Sequence, residues 1–310
     1  MEKFDVDVEG RKLGEIFVNL SNFRGKSREE VIQSLLEAVA TNGFYAGYDS
    51  EEDLREYLNW AVFGEEKEKK FDTGDKIADI SCIDSFYPLS HKDPTNKPQT
   101  LMYSMQEGLY DFNMSKETRR EIAETLKDSL KKCSRFVREK LQIYVFPTFD
   151  RFVIKNMGGC AGVSPTKNTI FMAVGENYER QMLGNTEVHE LAHVISDYYL
   201  QGNYTLAEGF VFEGLAEHFR EAMIGGERAR WTKAISRKDA KSILKKLEDK
   251  LDSRDSELWQ EVFFGGGSYP RWSGYSIGYY IVQDYLKSRK GEIDWNKLMK
   301  TPPVEIFRSS

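Results

Sequence analysis

Thr186-Glu-Val-His-Glu-Leu-Ala-His-Val-Ile-Ser-Asp-Tyr-Tyr199 is the stretch on which the reading of this chain turns. Inside it, His189-Glu190-Leu191-Ala192-His193 spells H-E-x-x-H. The chain has four histidines, and this string uses two of them. Residues four apart on an α-helix lie one turn above each other on the same face. His189 and His193 can therefore point their imidazoles at one cation. Zinc favours nitrogen donors, and catalytic zinc sites use three protein ligands plus a water. Glu190, beside the first ligand, stands where it can act as general base on that water, whose pKa falls to about 7.

The chemistry requires a helix. Asn185 is a suitable N-cap, and Glu187 in the first turn is favoured by the helix dipole. Val188, Leu191, Ala192, Ile195, Tyr198 and Tyr199 recur at helical spacing, and Gly202 is a stop. On the helical wheel both histidines flank this apolar stripe, which makes them half-buried. The competing reading is a chance string on an amphipathic helix.

Outward from that string, residues Thr205 to Met223 read as a second helix, entered through a turn at Gly202-Asn203. It carries Phe212-Glu-Gly-Leu-Ala-Glu-His-Phe219. Glu213, twenty positions beyond His193, is the third candidate ligand. Glu217 shares its face and is assigned to receive the second ring N–H of a ligand histidine, which sets the tautomer. Gly214 permits close approach of the two helices. Solvated glutamates are the alternative, but Phe210, Val211, Phe212, Leu215, Ala216 and Phe219 make the helix apolar around most of its circumference. Such a helix is largely buried, and buried carboxylates need a cation or donors. Glu208 is a weaker competitor as ligand. His218 points away from the Glu213–Glu217 face and reads as a packing or surface histidine.

These residues resemble the gluzincins, metallopeptidases with H-E-x-x-H and a downstream glutamate. Phe-Glu-Gly-Leu-Ala (212–216) is similar to the Asn-Glu-Gly-Phe-Ala string of aminopeptidase N relatives. The pair Glu213 and Glu217 resembles the Glu-x-x-x-Asp of thermolysin-like enzymes. A closer resemblance is to the YjaZ-like bacterial family of predicted zinc-dependent proteases. It is carried by Thr186–His193, Glu213–Glu217 and Arg271-Trp-Ser-Gly-Tyr-Ser-Ile-Gly-Tyr-Tyr280, and it covers roughly residues 115 to 310. The resemblance implies a zincin-like fold with an active-site helix beneath an edge strand, for which Asn168–Val174 fits. In the wider gluzincins such a strand pairs with an extended substrate. Aminopeptidase N relatives also carry Gly-x-Met-Glu-Asn. Only Gly175-Glu176-Asn177 stands here, in a different relation to the helix, so exopeptidase activity is not carried over.

In Arg271–Tyr280, Tyr275 and Tyr279 share a helical face. Ser273, Gly274, Ser276 and Gly278 give that helix a small-residue surface for close packing. A tyrosine hydroxyl there suits the stabilisation of a tetrahedral oxyanion, with Tyr275 the first candidate; core aromatics with satisfied hydroxyls are the alternative. Arg271 reads as a structural salt-bridge partner or a carboxylate binder.

At 310 residues the chain is one large domain or two, and its net charge of −6 is mild. The run Lys67–Lys70 is embedded in glutamates, so no basic stripe suggests a nucleic-acid partner. No apolar stretch approaches the roughly 18–20 residues of a membrane span. The N-terminus lacks a signal peptide's apolar stretch, which points to the cytoplasm or to a chain whose leader has been removed. Cys82, Cys133 and Cys160 show no paired spacing, which argues against a disulfide framework. Cys160 reads as a buried thiol, with a place near the metal as the alternative.

Residues 4–8 and 13–20 read as short strands, and Ser27-Arg-Glu-Glu30 as a capping box opening a helix to about Ala40. Ser50 caps another helix; 65–70 is a solvated charge run and 88–99 a proline-rich loop. Residues 1–100 form an N-terminal elaboration or a small appended α/β domain. Residues 101–310 form the zincin-like catalytic domain, with an N-lobe to about 200 and a helical C-lobe after it. A helix over 115–141 and a strand over 142–146 precede the H-E-x-x-H helix. The expectation is an α+β zincin-like metallopeptidase with a mixed N-lobe sheet, an active-site helix and a mainly helical C-lobe. One catalytic Zn2+ sits on His189, His193 and Glu213, with Glu190 as base, and the substrate is a peptide or protein. Two alternatives stand beside it: a zinc-dependent hydrolase of another amide or ester, and a non-catalytic zinc-stabilised binding protein.

Overall fold

The structure is a computed structural model and describes residues 2–18, 114–148, 151–199, 204–289 and 291–309, with 27, 29, 30, 33, 52 and 55. Two compact units divide the chain, with a boundary between Glu187 and Val188; the second unit also takes in Lys132–Arg138. The architecture is mixed α+β: a five-stranded sheet in the first unit and a mostly helical C-terminal region.

The sheet comprises β1 (Glu2–Val8), β2 (Arg11–Val18), β3 (Leu141–Pro147), β4 (Cys160–Thr166) and β5 (Thr169–Val174), in the order β1-β2-β3-β5-β4. Glu9 and Gly10, both at positive φ (51° and 80°), make the two-residue turn that antiparallel strands with right-handed twist prefer. β2 then pairs in parallel with β3, Gly14 opposite Leu141 through Val18 opposite Val145. The N-terminal hairpin therefore belongs to the same sheet as the strands beyond residue 140. On β2, Glu15 is nearly buried but bonded by Lys12, Lys3 and Lys140, which hold its pKa down at about 2.

The strand expected at the sheet edge, 168–174, is β5, and it is interior: parallel to β3 on one side and antiparallel to β4 on the other. Its side chains are buried along its whole length, as a run apolar on both faces requires, and the half-buried Ala161–Val163 of β4 takes the edge.

Helix α1 (Lys116–Lys132) buries Ile122, Ala123, Leu126 and Leu130. It stops well short of residue 141. The chain tightens into a 3-10 turn at Ser134–Phe136, which turns Phe136 inward, edge-on to Phe219 at 5.1 Å. α2 (Arg151–Asn156) precedes β4. The reciprocal Ser27–Glu30 capping bonds are present at 2.7 and 3.3 Å. The helix extending to Ala40, the Ser50 cap, the 65–70 run, the 88–99 loop and Cys82 lie outside the described residues.

α3 (Arg180–Ile195) crosses the boundary between the units. The second unit continues with α4 (Leu206–Ile224), α5 (Arg237–Lys246), α6 (Ser256–Phe264), α7 (Ser273–Ser288), α8 (Trp295–Leu298) and α9 (Pro303–Arg308). α4 is its centre: every residue from Gly209 to Arg220 is buried. Two glycines bring α4 and α7 into backbone contact. A Cβ at Gly214 would lie 2.2 Å from the Gly278 carbonyl oxygen, and one at Gly278 would lie 2.1 Å from that of Phe210. The small-residue surface of α7 thus packs on a helix as expected, but the partner Gly214 admits is α7, not α3. Among the described residues, no helix is long and apolar enough to cross a membrane.

Candidate metal centre

α3 begins five residues before Asn185. The Glu179 amide donates to the Gly158 carbonyl at 2.7 Å and the Leu183 amide to Glu179 at 3.2 Å, so the first turn forms ahead of buried Leu183. Asn185 and Glu187 are consequently helix-interior, not cap and first turn. Glu187 is fully buried, which pushes its carboxyl well above the usual range. The helix ends at Ile195, before Tyr198 and Tyr199. Ser196 Oγ accepts from the Tyr198 and Tyr199 amides (3.4 and 3.3 Å). The chain turns there, and Tyr199 lies flat on the His193 ring, centroids 3.9 Å apart and 16° between planes.

One helical turn on α3 and one residue of α4 bring three donors together. His189 Nε2 is 3.2 Å from His193 Nε2 and 3.1 Å from Glu213 Oε2, and His193 Nε2 is 3.7 Å from Glu213 Oε1. Three such ligand atoms lie within 4.8 Å of one another. Zinc bonded to nitrogen and oxygen at about 2.1 Å in a tetrahedron spaces its ligands about 3.4 Å apart. The donor set therefore fits one zinc in both chemistry and spacing. His189, His193 and Glu213 are all more than nine-tenths buried, deeper than the half-buried flank the helical wheel suggested.

Electrostatics points the same way. Glu217 Oε1 accepts from His189 Nδ1 at 3.0 Å, which leaves His189 Nε2 as a lone pair facing the Glu213 carboxylate. Lone pair against carboxylate is repulsive unless a positive charge sits between them. Burial disfavours charge on His189, yet Glu213 and Glu217 outweigh it and raise its pKa well above normal. On His193, burial and the neighbouring His189 drive the pKa well below normal. Without a metal, a proton takes the cation's place.

Glu217 is itself 1% exposed. Burial would raise its pKa, but His189 and Arg220 hold it at about 2. Trp231 Nε1 donates to Oε1 at 2.7 Å and an Arg220 guanidinium nitrogen to Oε2 at 2.9 Å.

Glu190 is buried on the same helix. Burial above all raises the pKa values of the Tyr199 and Tyr275 phenols well above normal; Tyr204, then Glu213 and Glu190, add to it at Tyr199, and Glu213 and Glu190 at Tyr275. Tyr275 thus lies within electrostatic reach of Glu213 and Glu190, its ring braced edge-on by Phe263 at 5.2 Å. Tyr279 does not. Its hydroxyl donates to Glu221 Oε2 at 3.1 Å and its ring stacks on His218 at 4.2 Å. His218 is a packing histidine, with Nε2 3.0 Å from the Tyr279 carbonyl oxygen. Glu208 is occupied in the capping box of α4, accepting from the Thr205 amide at 2.7 Å. Arg271 is exposed and donates to the Phe264 carbonyl at 3.3 Å. Cys160 is a fully buried thiol on β4, raised by burial.

Four residues around this centre were given no site role from the sequence: Tyr199, there only part of the apolar stripe, Tyr204, whose ring centroid lies 5.8 Å from that of Tyr199, Arg220 and Trp231. Arg220 carried a signal, an arginine three positions from Glu217 on an otherwise apolar helix. Tyr204 and Trp231 carried none, because loops and short turns orient their rings.

Residues 121–308 match the family described as "Predicted Zn-dependent protease (DUF2268)". The chain belongs to DUF2268. The matched span contains every residue of the centre described above. Two Bacillus subtilis (strain 168) proteins are similar to this DUF2268 chain. The uncharacterized protein YjaZ is 27% identical over 130 residues, 40% of this chain and 50% of YjaZ. The uncharacterized protein YjfC is 23% identical over 187 residues, 53% of this chain and 62% of YjfC. The chain thus spans about half to three-fifths of the curated relatives it matches. No solved structure matches it significantly.

Proposed function

We propose that this protein is a gluzincin-type zinc metallopeptidase with a zincin-like fold, acting on a peptide or protein substrate. The observation that carries the reading is the convergence of His189 Nε2, His193 Nε2 and a Glu213 oxygen within 4.8 Å, with a base candidate on the same helix. Membership of a family of predicted Zn-dependent proteases supports it. A zinc ion on these three residues supplies a water of lowered pKa and polarises the scissile carbonyl.

The rest falls to the chain's own groups. Glu190 accepts the water's proton and passes it to the leaving amine. Glu217 holds the Nδ1 proton of His189, so that Nε2 stays a ligand. Tyr275 offers its phenolic O–H as a hydrogen-bond donor to the oxyanion, and burial serves this role by keeping the phenol protonated. Tyr199, stacked on His193, shields that ligand from water.

The test is Glu190→Gln. It should bind one equivalent of zinc and lose about 10²–10⁴-fold in peptide cleavage, the range of a general base. A variant that retains zinc and cleaves a peptide library as fast as wild type overturns the mechanism. Turnover of small amides alone, with no peptide cut by wild type, overturns the substrate class.

A further inference from the structure

The buried network behind His189 is larger than a ligand's partner requires. Glu217 has both oxygens occupied. Oε1 takes the His189 Nδ1 and Trp231 Nε1 bonds, at 3.0 and 2.7 Å, and Oε2 takes Arg220 at 2.9 Å. Arg220 is 1% exposed and also donates to the carbonyls of Gly225 and Glu227, at 3.0 and 3.2 Å, in the chain leaving α4. Trp231 opens the 3-10 segment Trp231–Lys233, and that segment is gripped by one side chain of α7. Ser276 Oγ donates to the Trp231 carbonyl at 2.9 Å and accepts from the Ala234 and Ile235 amides at 3.1 and 3.4 Å. Ser276 is fully buried and directly follows Tyr275.

We infer that Trp231, held by Ser276, and Arg220 are positioning residues of the metal centre: they aim the Glu217 carboxylate at His189 Nδ1 and so hold the His189 ring with Nε2 towards the metal. The inference rests on the zinc reading above. Three donors converge on one buried carboxylate from different segments, which leaves it a single orientation. A carboxylate that could rotate would release the Nδ1 proton and let the imidazole turn. Ser276 adds a second consequence. The segment that fixes Glu217 is tied to the helix carrying Tyr275, so one support sets both the metal ligand and the phenol. This gives Ser276 a role that its small size in the Arg271–Tyr280 segment did not reveal.

The experiment measures zinc affinity by chelator competition on the purified chain, beside the melting temperature of the metal-free protein. Trp231→Phe keeps an aromatic ring and removes the N–H. It should weaken zinc binding about tenfold, the lower end for a residue behind a ligand. Trp272→Phe is the control. Trp272 packs against Trp231 (centroids 6.4 Å apart), and the substitution should lower melting without changing zinc affinity. In a Glu217→Gln background, Trp231→Phe should cost little more, because it acts through Glu217. Ser276→Ala tests the same clamp from the main-chain side and should weaken zinc binding a few-fold, so the inference stands or falls even if Trp231→Phe does not fold. Wild-type zinc affinity in both Trp231→Phe and Ser276→Ala, with stoichiometric zinc in wild type, overturns the clamp and leaves the zinc centre intact. Absence of zinc binding by wild type itself overturns both.

Discussion

Helix α4 presents histidine environments of two kinds, and the contrast between them is instructive. On one side, His189 and His193 of α3 meet Glu213; on the other, His218 of α4 meets Tyr279 of α7. All three residues are more than nine-tenths buried, so burial does not tell them apart. What their nitrogens face does. His218 Nε2 addresses a backbone carbonyl 3.0 Å away, a bond one ring proton completes. His189 stands between two carboxyl groups, Glu217 on Nδ1 and Glu213 on Nε2, and a neutral ring has a proton for only one of them. The first environment is satisfied by the chain alone. The second is complete only with a cation.

Removing one ring from each environment should separate them most sharply. His193→Ala should weaken zinc binding by more than the roughly 100-fold that bounds losses behind the ligands, while His218→Ala should bind zinc as wild type does. Isothermal titration of both reads this out, and equal losses would erase the distinction.

Zinc itself provides the next contrast. Free zinc at a thousand times its dissociation constant should stabilise the folded chain by about 4 kcal/mol, seen as a higher melting temperature. That shift should persist in His218 variants and vanish in His189→Ala. A shift surviving His189→Ala would locate the stabilising metal elsewhere.

The smallest effect concerns acid. Burial lowers the His218 pKa to about 4, below the ordinary value near 6.5; the Tyr279 carbonyl and Glu217 oppose the shift, Arg228 and Arg220 reinforce it, and Glu221 lies 3.8 Å from Nδ1 on the same face. Between those values the unfolded chain binds a proton the folded chain refuses. Stability from this group is therefore full above about pH 6.5 and falls as the pH drops towards 4, by at most about 3 kcal/mol. Urea titrations of wild type and His218→Gln should differ in slope across that window, and parallel curves would remove His218 from the account.

The part of the centre that could be read in the sequence lies on two helices. His189, Glu190 and His193 are related by one helical turn, as are Glu213 and Glu217, so spacing alone puts each set on one face. The ends of those helices were less legible. α3 starts at Arg180 because the Gly158 carbonyl captures the Glu179 amide, a contact across twenty residues of sequence. The strand at 169–174 was recognisable from its apolar run, but its interior place depends on β4 pairing outside it. Tyr275 and Tyr279 share a face of α7, and no periodicity separates them. Their neighbours do, Glu213 and Glu190 for one and Glu221 and His218 for the other.

The sequence by itself determined the donor group and the family, because residue chemistry and helical period are local properties. Only the tertiary structure decided which strand forms the sheet edge, which helix Gly214 admits, and which groups grip Glu217. Those depend on where separate segments meet, and Trp231, Arg220 and Ser276 acquire their roles through contacts that no local pattern encodes.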